Sequence, residues 1–394
     1  MNRPLRLLMV SEPGAYGVFI YVRSLISYLA QYHPDIQVDW AYSSCRACPE
    51  LPEVVRAVEA RGGITFDMKV GNAPQAGDLR AFLGIRRLVR QRRPAIIHAH
   101  SSKAGALVRL GRLLGGPPVI YTPHCYYGMS PRTGTREVFF TFVERVLGHI
   151  GWSHWVSGYE REYARAMLGI RRGLLVYTGV DRSRYKVPTL EEKRELRQEL
   201  GLPREGKILV ALGRHSYQKN YEPLYAALDR LLPEADWYFV HAGAADNGVL
   251  HDSLCTAARQ RHLELPYVKD ASRLLRAADG LIMTSRHEGF SLAAIEGICC
   301  GLPLILTAAS GSLSLMRLGF PNIRWLPDPA AEANLVPAIE QAIRDWAKAP
   351  PPCLKEQEKL ARRWLDERVQ FGKIVKFYRY LDSITRGAEN YVCG

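Results

Sequence analysis

The feature that most constrains this chain is an alternation that occurs twice. Short apolar runs, each the length of a strand, are separated by stretches whose apolar residues recur at helical spacing. That is the pattern of βαβ units, which set parallel strands side by side and cover both sheet faces with helices. In the first half, residues 5–10, 36–42, 64–70, 95–99 and 119–122 read as strands, and 18–32, 78–93 and 103–114 as helices. The helix at 18–32 takes its stripe from Ile20, Leu25, Tyr28 and Leu29, and Asp78 caps the helix that ends before Pro94. The pattern breaks near 174–179, ahead of Pro188 and a run of charges. It restarts with strands at 207–212, 237–242, 281–284 and 304–307 and a helix at 221–232, and the amphipathic tail 355–381 reads as helix. A chain of 394 residues exceeds what one core organises. The expectation is two successive doubly wound α/β domains, 1–178 and 179–370, followed by a C-terminal segment 371–394, with ligands at the carboxyl ends of the strands.

Charge then narrows the partners. The net charge of +14 is concentrated in residues 1–180, which hold 23 Lys/Arg against 12 Asp/Glu, a net +11; the remainder nets +3. On charge alone, nucleic acid and anionic lipid both fit. No run approaches the ~20 apolar residues that cross a bilayer. Leu7-Leu8-Met9-Val10 is too short for a signal peptide and reads as a first strand, so a cytoplasmic protein is expected. The eight cysteines are scattered apart from Cys45/Cys48 and Cys299-Cys300, without a second ligand pair, and read as reduced thiols.

Five stretches at strand ends carry the polar chemistry. Glu288 and Glu296 bracket Gly289-Phe290-Ser291-Leu292-Ala293-Ala294-Ile295, a stretch that follows a strand and opens a helix near Ser291. Free N–H groups and the dipole at such a helix start attract anions. Two carboxylates at that separation can accept hydrogen bonds from two hydroxyl-bearing parts of one ligand, such as a sugar and a ribose. A carboxylate balancing the dipole beside a surface glutamate gives the same pattern. Gly213-Arg214-His215-Ser216-Tyr217-Gln218-Lys219-Asn220 directly follows the strand at 207–212. Two cations five residues apart can grip a diphosphate from two sides, and a solvated basic loop fits as well. Ser11-Glu12-Pro13-Gly14-Ala15-Tyr16-Gly17 joins the first strand to the first helix, and Gly17 permits close backbone approach to a phosphate. Gly14 and Gly17 lack the third glycine of a dinucleotide fingerprint, which argues against hydride transfer. Finally, His98-Ala99-His100-Ser101-Ser102-Lys103-Ala104-Gly105 and Tyr121-Thr122-Pro123-His124 close two neighbouring strands at the expected cleft.

Taken together these residues resemble the retaining GT-B glycosyltransferases, the group that includes bacterial mannosyltransferases, lipopolysaccharide and exopolysaccharide transferases and sucrose synthase. Glu288 and Glu296 match that family's paired-glutamate motif, and the resemblance runs from Leu5 to about Leu381. It implies a GT-B fold: two Rossmann-like α/β domains facing across a deep cleft, an N-terminal acceptor domain and a C-terminal donor domain, with a C-terminal helix crossing back to the N-terminal domain. It implies a nucleotide-diphosphate sugar as donor, UDP or GDP, and a glycan or lipid-linked acceptor of surface-polysaccharide synthesis. Arg214 and Lys219 would bind the donor diphosphate and stabilise the leaving nucleotide, with Gly17 offering its N–H to the same phosphates. Gly213 and the backbone of Gly289, Phe290, Ser291 and Leu292 would line the donor. Glu288 would contact the sugar hydroxyls, Glu296 the ribose, and His124 would lie beside the reacting carbon. The chain departs from the family at Tyr16-Gly17, where two glycines are common, and at Asn220, where a glycine commonly follows the lysine. It also departs at Ala308-Ala309-Ser310-Gly311-Ser312, which is less glycine-rich than the consensus.

No Asp-x-Asp occurs to hold a divalent ion beside the phosphates, so neither metal nor other cofactor is expected and the two cations take the ion's place. Arg86, Arg87, Arg90, Arg92 and Arg93 on the helix at 78–93, with His100, Ser101 and Lys103 nearby, are candidates for an anionic membrane face and the acceptor, which implies peripheral attachment at the inner face of the membrane. A solvated basic face is the plainer alternative. An epimerase or hydrolase on the same scaffold would need a further carboxylate pair in the N-terminal loops, and none stands out. A nucleic-acid binder would interleave aromatics with its basic residues, and 86–93 contains none.

Overall fold

The computed structural model describes residues 4–392 apart from 72, 133, 244–248, 266–267 and 332–333, with backbone alone over 387–392. The chain divides into two compact units. One comprises Met1–Gly128, Arg132–Thr178 and Arg368–Gly394; the other comprises Gly179–Glu367 with Met129–Pro131.

The first unit runs β1 (Leu5–Ser11), α1 (Tyr16–Tyr32), β2 (Ile36–Tyr42), α2 (Leu51–Ala60), β3 (Thr65–Asp67), α3 (Gly77–Arg92) and β4 (Ile96–His100). It continues with α4 (Ser102–Leu113), β5 (Val119–Thr122), α5 (Thr135–Leu147), β6 (Trp152–Trp155), α6 (Gly158–Met167) and β7 (Gly173–Leu175). All seven strands are parallel, in the order β3-β2-β1-β4-β5-β6-β7. β1 and β4 are buried almost throughout, as a central parallel strand covered on both faces must be. α1 turns Phe19, Val22, Leu25, Ile26 and Leu29 inward, the spacing of one helical face. α3 stops where Arg93 takes a left-handed φ of 47° ahead of Pro94. The strand expected over 64–70 is only three residues long. Lys69 turns left-handed, φ 53°, and the Ser43 hydroxyl takes over the backbone of Val70, replacing ladder bonds.

The second unit holds α7 (Leu190–Glu199), β8 (Ile208–Leu212), α8 (Glu222–Leu231), β9 (Tyr238–Ala242), α9 (Val249–Asp252), α10 (Thr256–Arg259), β10 (His262–Leu265) and α11 (Ala271–Ala277). After these come β11 (Gly280–Met283), α12 (Leu292–Cys299), β12 (Leu304–Thr307), α13 (Leu313–Arg317), β13 (Ile323–Leu326), α14 (Val336–Lys348) and α15 (Leu354–Trp364). Its six parallel strands follow the order β10-β9-β8-β11-β12-β13. In each sheet the strand order reverses once, between β1 and β4 and between β8 and β11. Crevices at the carboxyl ends of strands flanking such a reversal are where doubly wound folds take their ligands.

The tail is two helices rather than one. Val180 N–H donates to Leu365 C=O (2.8 Å) and Glu367 N–H to Val180 C=O (3.2 Å), so the backbone at 365–367 pairs with the start of the second unit and α15 ends there. α16 (Glu367–Val392) follows, and nearly all of it belongs to the first unit. Phe371, Ile374, Val375, Tyr378 and Leu381 enter the same core cluster as Leu7, Met9, Val22 and Leu25. Each such buried side chain contributes about 1.5–3 kcal/mol.

Among the described residues, several buried charges of the first unit sit in ion pairs, and Glu160 does not. Arg92 forks onto Asp39 (3.0–3.1 Å), and Glu144 accepts from Arg109 (2.9 Å) and from the Tyr121 hydroxyl (2.6 Å). Glu160, in the first turn of α6, is fully buried and accepts only the Val156 N–H, 2.8 Å from Oε2, while Oε1 has no hydrogen-bond partner. Burial pushes its carboxyl up to about 8.

Candidate functional site

In the second unit the structure joins the two loops singled out above. The loop after β8 and the loop after β11 leave adjacent strands at the point where the strand order reverses. Lys219 Nζ donates to Glu288 Oε1 at 2.8 Å, a pair 69 residues apart in sequence. Ser285 Oγ donates to the same oxygen (2.8 Å), and Gln218 Nε2 reaches Oε2 at 3.4 Å. Glu288 is therefore held as an oriented acceptor, with lone pairs on Oε2 left for a ligand.

The loops are stitched elsewhere as well. Thr284 Oγ1 donates to Asn220 C=O (2.8 Å), Arg286 N–H to Gln218 C=O (2.8 Å) and Gln218 Nε2 to His287 C=O (3.1 Å). Asn220 sits at φ 54°, a left-handed conformation that asparagine tolerates better than most residues. That explains why a residue other than glycine can follow Lys219. Gly213 takes φ 127°, its N–H bonds Ala242 C=O, and Arg214 beside it is exposed. Ser291 is the N-cap of α12, with its hydroxyl turned to Met283 Sδ rather than to the helix, so the first N–H groups of α12, which begins at Leu292, lack a side-chain cap. Gly289 and Phe290 precede it in the loop.

Glu296 lies within α12 and is buried. The Tyr185 hydroxyl hydrogen-bonds it, and burial together with this carboxylate pushes that phenol far above its ordinary value. Gly311 packs under the glutamate loop: its N–H donates to Glu288 C=O (3.0 Å), and a Cβ there would stand 2.3 Å from Gly289 O. Sequence reasoning did not single out Ser285, Gln218, Tyr185 or Ser310, whose hydroxyl bonds the Glu288 backbone in both directions. Gln218 and Ser310 lie inside loops the sequence marks, yet only the fold turns their side chains, with those of Ser285 and Tyr185, onto the two glutamates.

In the first unit the loop after β1 leads into α1, whose second residue is Gly17, exposed at the helix start. Tyr16 adopts φ 63° where the family commonly has glycine, a conformation that costs a non-glycine residue about 1–2 kcal/mol. Glu12 is buried and bound through both oxygens by Arg46 (3.0 Å each).

The ends of β4, β5 and β6 bring four histidines together. His154 Nε2 faces Val176 C=O (3.1 Å), an obligate acceptor, so Nε2 carries a proton. With one proton per ring, His154 Nδ1 accepts from Thr122 Oγ1 (2.8 Å), and Thr122 Oγ1 accepts from His98 Nε2 (2.7 Å). His98 Nδ1 then accepts from the Tyr378 hydroxyl of α16 (2.5 Å). Burial holds His98 well below the ordinary histidine value and His154 at about 4, which keeps both rings neutral and the chain intact. His100 Nδ1 and His124 Nε2 share a further bond of 3.1 Å. His124 has φ 61°, keeps part of its surface accessible, and is lowered to about 3 by its enclosure and by His154. Its ring meets the edge of Tyr21 at 4.8 Å. His100 is fully buried, and its Nε2 and the Tyr21 hydroxyl have no hydrogen-bond partner.

The residues expected on a membrane face divide. Arg86 donates to the carbonyls of Gly111 (2.9 Å), Gly115 (2.7 Å) and Leu114 (3.2 Å), and Arg92 is committed to Asp39. Lys103 is anchored by Asp78 (2.8 Å) and Ala73 C=O (2.6 Å). Arg87, Arg90 and Arg93 are exposed. Ser101, at φ 83°, precedes α4 with its hydroxyl buried.

Residues 17–180 match the family described as glycosyl transferase 4-like domain, and residues 192–363 the family described as glycosyl transferases group 1. A UDP-Gal:alpha-D-GlcNAc-diphosphoundecaprenol alpha-1,3-galactosyltransferase of Escherichia coli is 26% identical over 259 residues, 62% of this chain and 65% of the relative. The chain spans less than two thirds of the length of the first curated relatives it matches. Sucrose-phosphate synthase from Thermosynechococcus elongatus superposes with a TM-score of 0.75 at 18% identity, over 96% of this chain and 100% of that one. HepE from Anabaena in complex with UDP gives 0.73 at 18% identity, over 95% and 100%. At such identity the structural likeness concerns the fold.

Proposed function

The chain belongs to the GT-B glycosyltransferases, and from that premise we propose that it moves a sugar from a UDP- or GDP-activated donor, with retention of configuration, onto a glycan or lipid-linked acceptor of surface-polysaccharide synthesis. The observation that carries the reading is the Lys219–Glu288 pair, which brings a phosphate-binding type of loop against a hydroxyl-binding carboxylate at the strand-order reversal. Arg214, exposed on the same loop, and Lys219 stabilise the charge that grows on the departing diphosphate, without a divalent metal. Glu288 Oε2 orients the sugar, and Glu296 with Tyr185 takes the ribose. In the reaction the bond from the anomeric carbon to the phosphate oxygen breaks, the acceptor oxygen bonds that carbon on the same face, and its proton passes to the departing phosphate. The first unit takes the acceptor, and His124 is its candidate catalytic group.

The names of the relatives support nucleotide-sugar chemistry and a lipid-linked acceptor: one carries UDP-galactose and diphosphoundecaprenol, another teichuronic acid biosynthesis. An anionic membrane surface as the place of work is supported by α3, α4 and α5. Leu83, Leu113, Phe139 and Phe142 on these helices are each more than half exposed, and Arg87, Arg90, Arg112, Arg136 and Arg145 are exposed on the same three helices. Each arginine near an anionic surface contributes about 1 kcal/mol. Among the described residues no helix is long and apolar enough to cross a membrane.

The test measures melting temperature with UDP-, GDP-, dTDP- and ADP-sugars, and product formation on a lipid-linked acceptor, both with and without added Mg²⁺ or Mn²⁺. One nucleotide should raise the melting temperature of the wild type but not of Arg214→Ala, and the variant should lose about 10²–10³ in kcat/KM. Neither result should need the added ion. A wild type that no nucleotide stabilises would sink the reading.

A further inference from the structure

A second polar cluster in the second unit lies outside everything assigned above. His262 and Glu264 are two residues apart on the edge strand β10 and so share a face. His251, on α9, meets them: His251 Nδ1 lies 2.8 Å from His262 Nδ1, with the ring planes 28° apart. The three ligand atoms, two imidazole nitrogens and a carboxylate oxygen, all fall within 4.8 Å of one another.

Hydrogen bonds on the far side of His262 decide which form it takes. His241 Nε2 faces Gly213 C=O at 2.8 Å, so this nitrogen carries a proton. With one proton per ring, His241 Nδ1 accepts from the Tyr225 hydroxyl (2.8 Å), which leaves the Tyr225 oxygen to accept from His262 Nε2 (3.1 Å). His262 Nδ1 is then the acceptor in the bond with His251, whose Nδ1–H donates to it. An ion takes the place of that proton, which passes to the partly exposed His251 ring's Nε2, and both Nδ1 lone pairs then face the metal. The Tyr225 hydroxyl stands where a metal-bound histidine usually finds the partner of its other nitrogen.

We propose that His251, His262 and Glu264 form a site for one transition-metal cation of the Zn²⁺ class. Two histidines and a carboxylate suit such an ion, whereas Mg²⁺ and Ca²⁺ prefer all-oxygen sets. Two nitrogens each about 2.05 Å from a tetrahedral ion lie about 3.3 Å apart, so the pair has to open by roughly 0.5 Å. His262 is nearly buried while His251 and Glu264 are partly exposed, which leaves the ion a way in. The site is not part of the phosphate chemistry. Its hydrogen-bond chain ends on Gly213 C=O, at the base of the donor loop, so a bound ion locks the tautomers that hold that carbonyl.

Metal-free full-length protein is titrated with Co²⁺ without nucleotide, following visible d–d absorption, and then with Zn²⁺ as competitor. The site predicts one Co²⁺ per chain with a tetrahedral band, displaced stoichiometrically by Zn²⁺. His251→Ala and Glu264→Gln, whose positions are partly exposed, should each bind at least tenfold more weakly, and Tyr225→Phe about tenfold more weakly, with circular dichroism unchanged. The proposal is overturned if wild type and His251→Ala bind alike, or if a thiolate charge-transfer band places the ion on cysteines. Arg214→Ala should bind Co²⁺ like the wild type, so either outcome here leaves the donor-site reading to its own test.

Discussion

Replacing Glu160 by glutamine should stabilise the first unit, and by an amount that depends steeply on pH. The carboxyl is fully buried with an unpartnered oxygen, and its folded value is about 8 against an ordinary 4.5. Between those values the folded state keeps its proton while the unfolded state has released it, so stability falls as pH rises through this window. At 1.36 kcal/mol per pH unit, ionisation favours the unfolded chain by about 4 kcal/mol at pH 7.5 and about 1 kcal/mol at pH 5.5. Glutamine cannot ionise, and its carbonyl can still accept the Val156 N–H. Whatever its amide costs in that pocket is the same at both pH values, so the difference of roughly 2–3 kcal/mol is the quantity to measure. Urea unfolding followed by hydrogen exchange in peptides of the first unit, on wild type and Glu160→Gln at pH 7.5 and 5.5, gives it directly. An equal effect of the substitution at the two pH values would refute the buried, protonated carboxyl.

Three further outcomes follow from the geometry. Tyr378→Phe removes the donor to His98 Nδ1 and should cost about 1–3 kcal/mol, with exchange protection lost first over 367–386; unchanged protection there would mean the histidine chain does not hold α16. Gly311→Ala forces the Glu288–Gly289 backbone to move by about 1 Å and should lower kcat/KM about a hundredfold, whereas wild-type turnover would show that the glutamate loop does not need its present position. Phe139→Asp with Phe142→Asp should abolish co-sedimentation with anionic vesicles while leaving nucleotide binding intact; binding equal to wild type would move the membrane surface off α5.

The alternation of apolar runs determined the architecture by itself, because strand and helix spacing are local properties of the chain and a twice-repeated βαβ pattern admits few topologies. It also put the polar loops at strand ends, since those are the points where apolar runs stop. The pairings were a matter for the tertiary structure. Lys219 meets Glu288 across 69 residues, and His98 meets Tyr378 across 280, because the sheet order, and not sequence distance, decides which strand ends are neighbours. Arg86 and Arg92 looked like part of a basic surface, yet the carbonyls and carboxylate that bind them come from other elements of the first unit. The break in the tail at 365–367 arises from pairing with Val180, which no local pattern in the tail encodes. Tyr16 and Asn220 carry left-handed backbone that their side chains alone would not announce, imposed by the turns they must close.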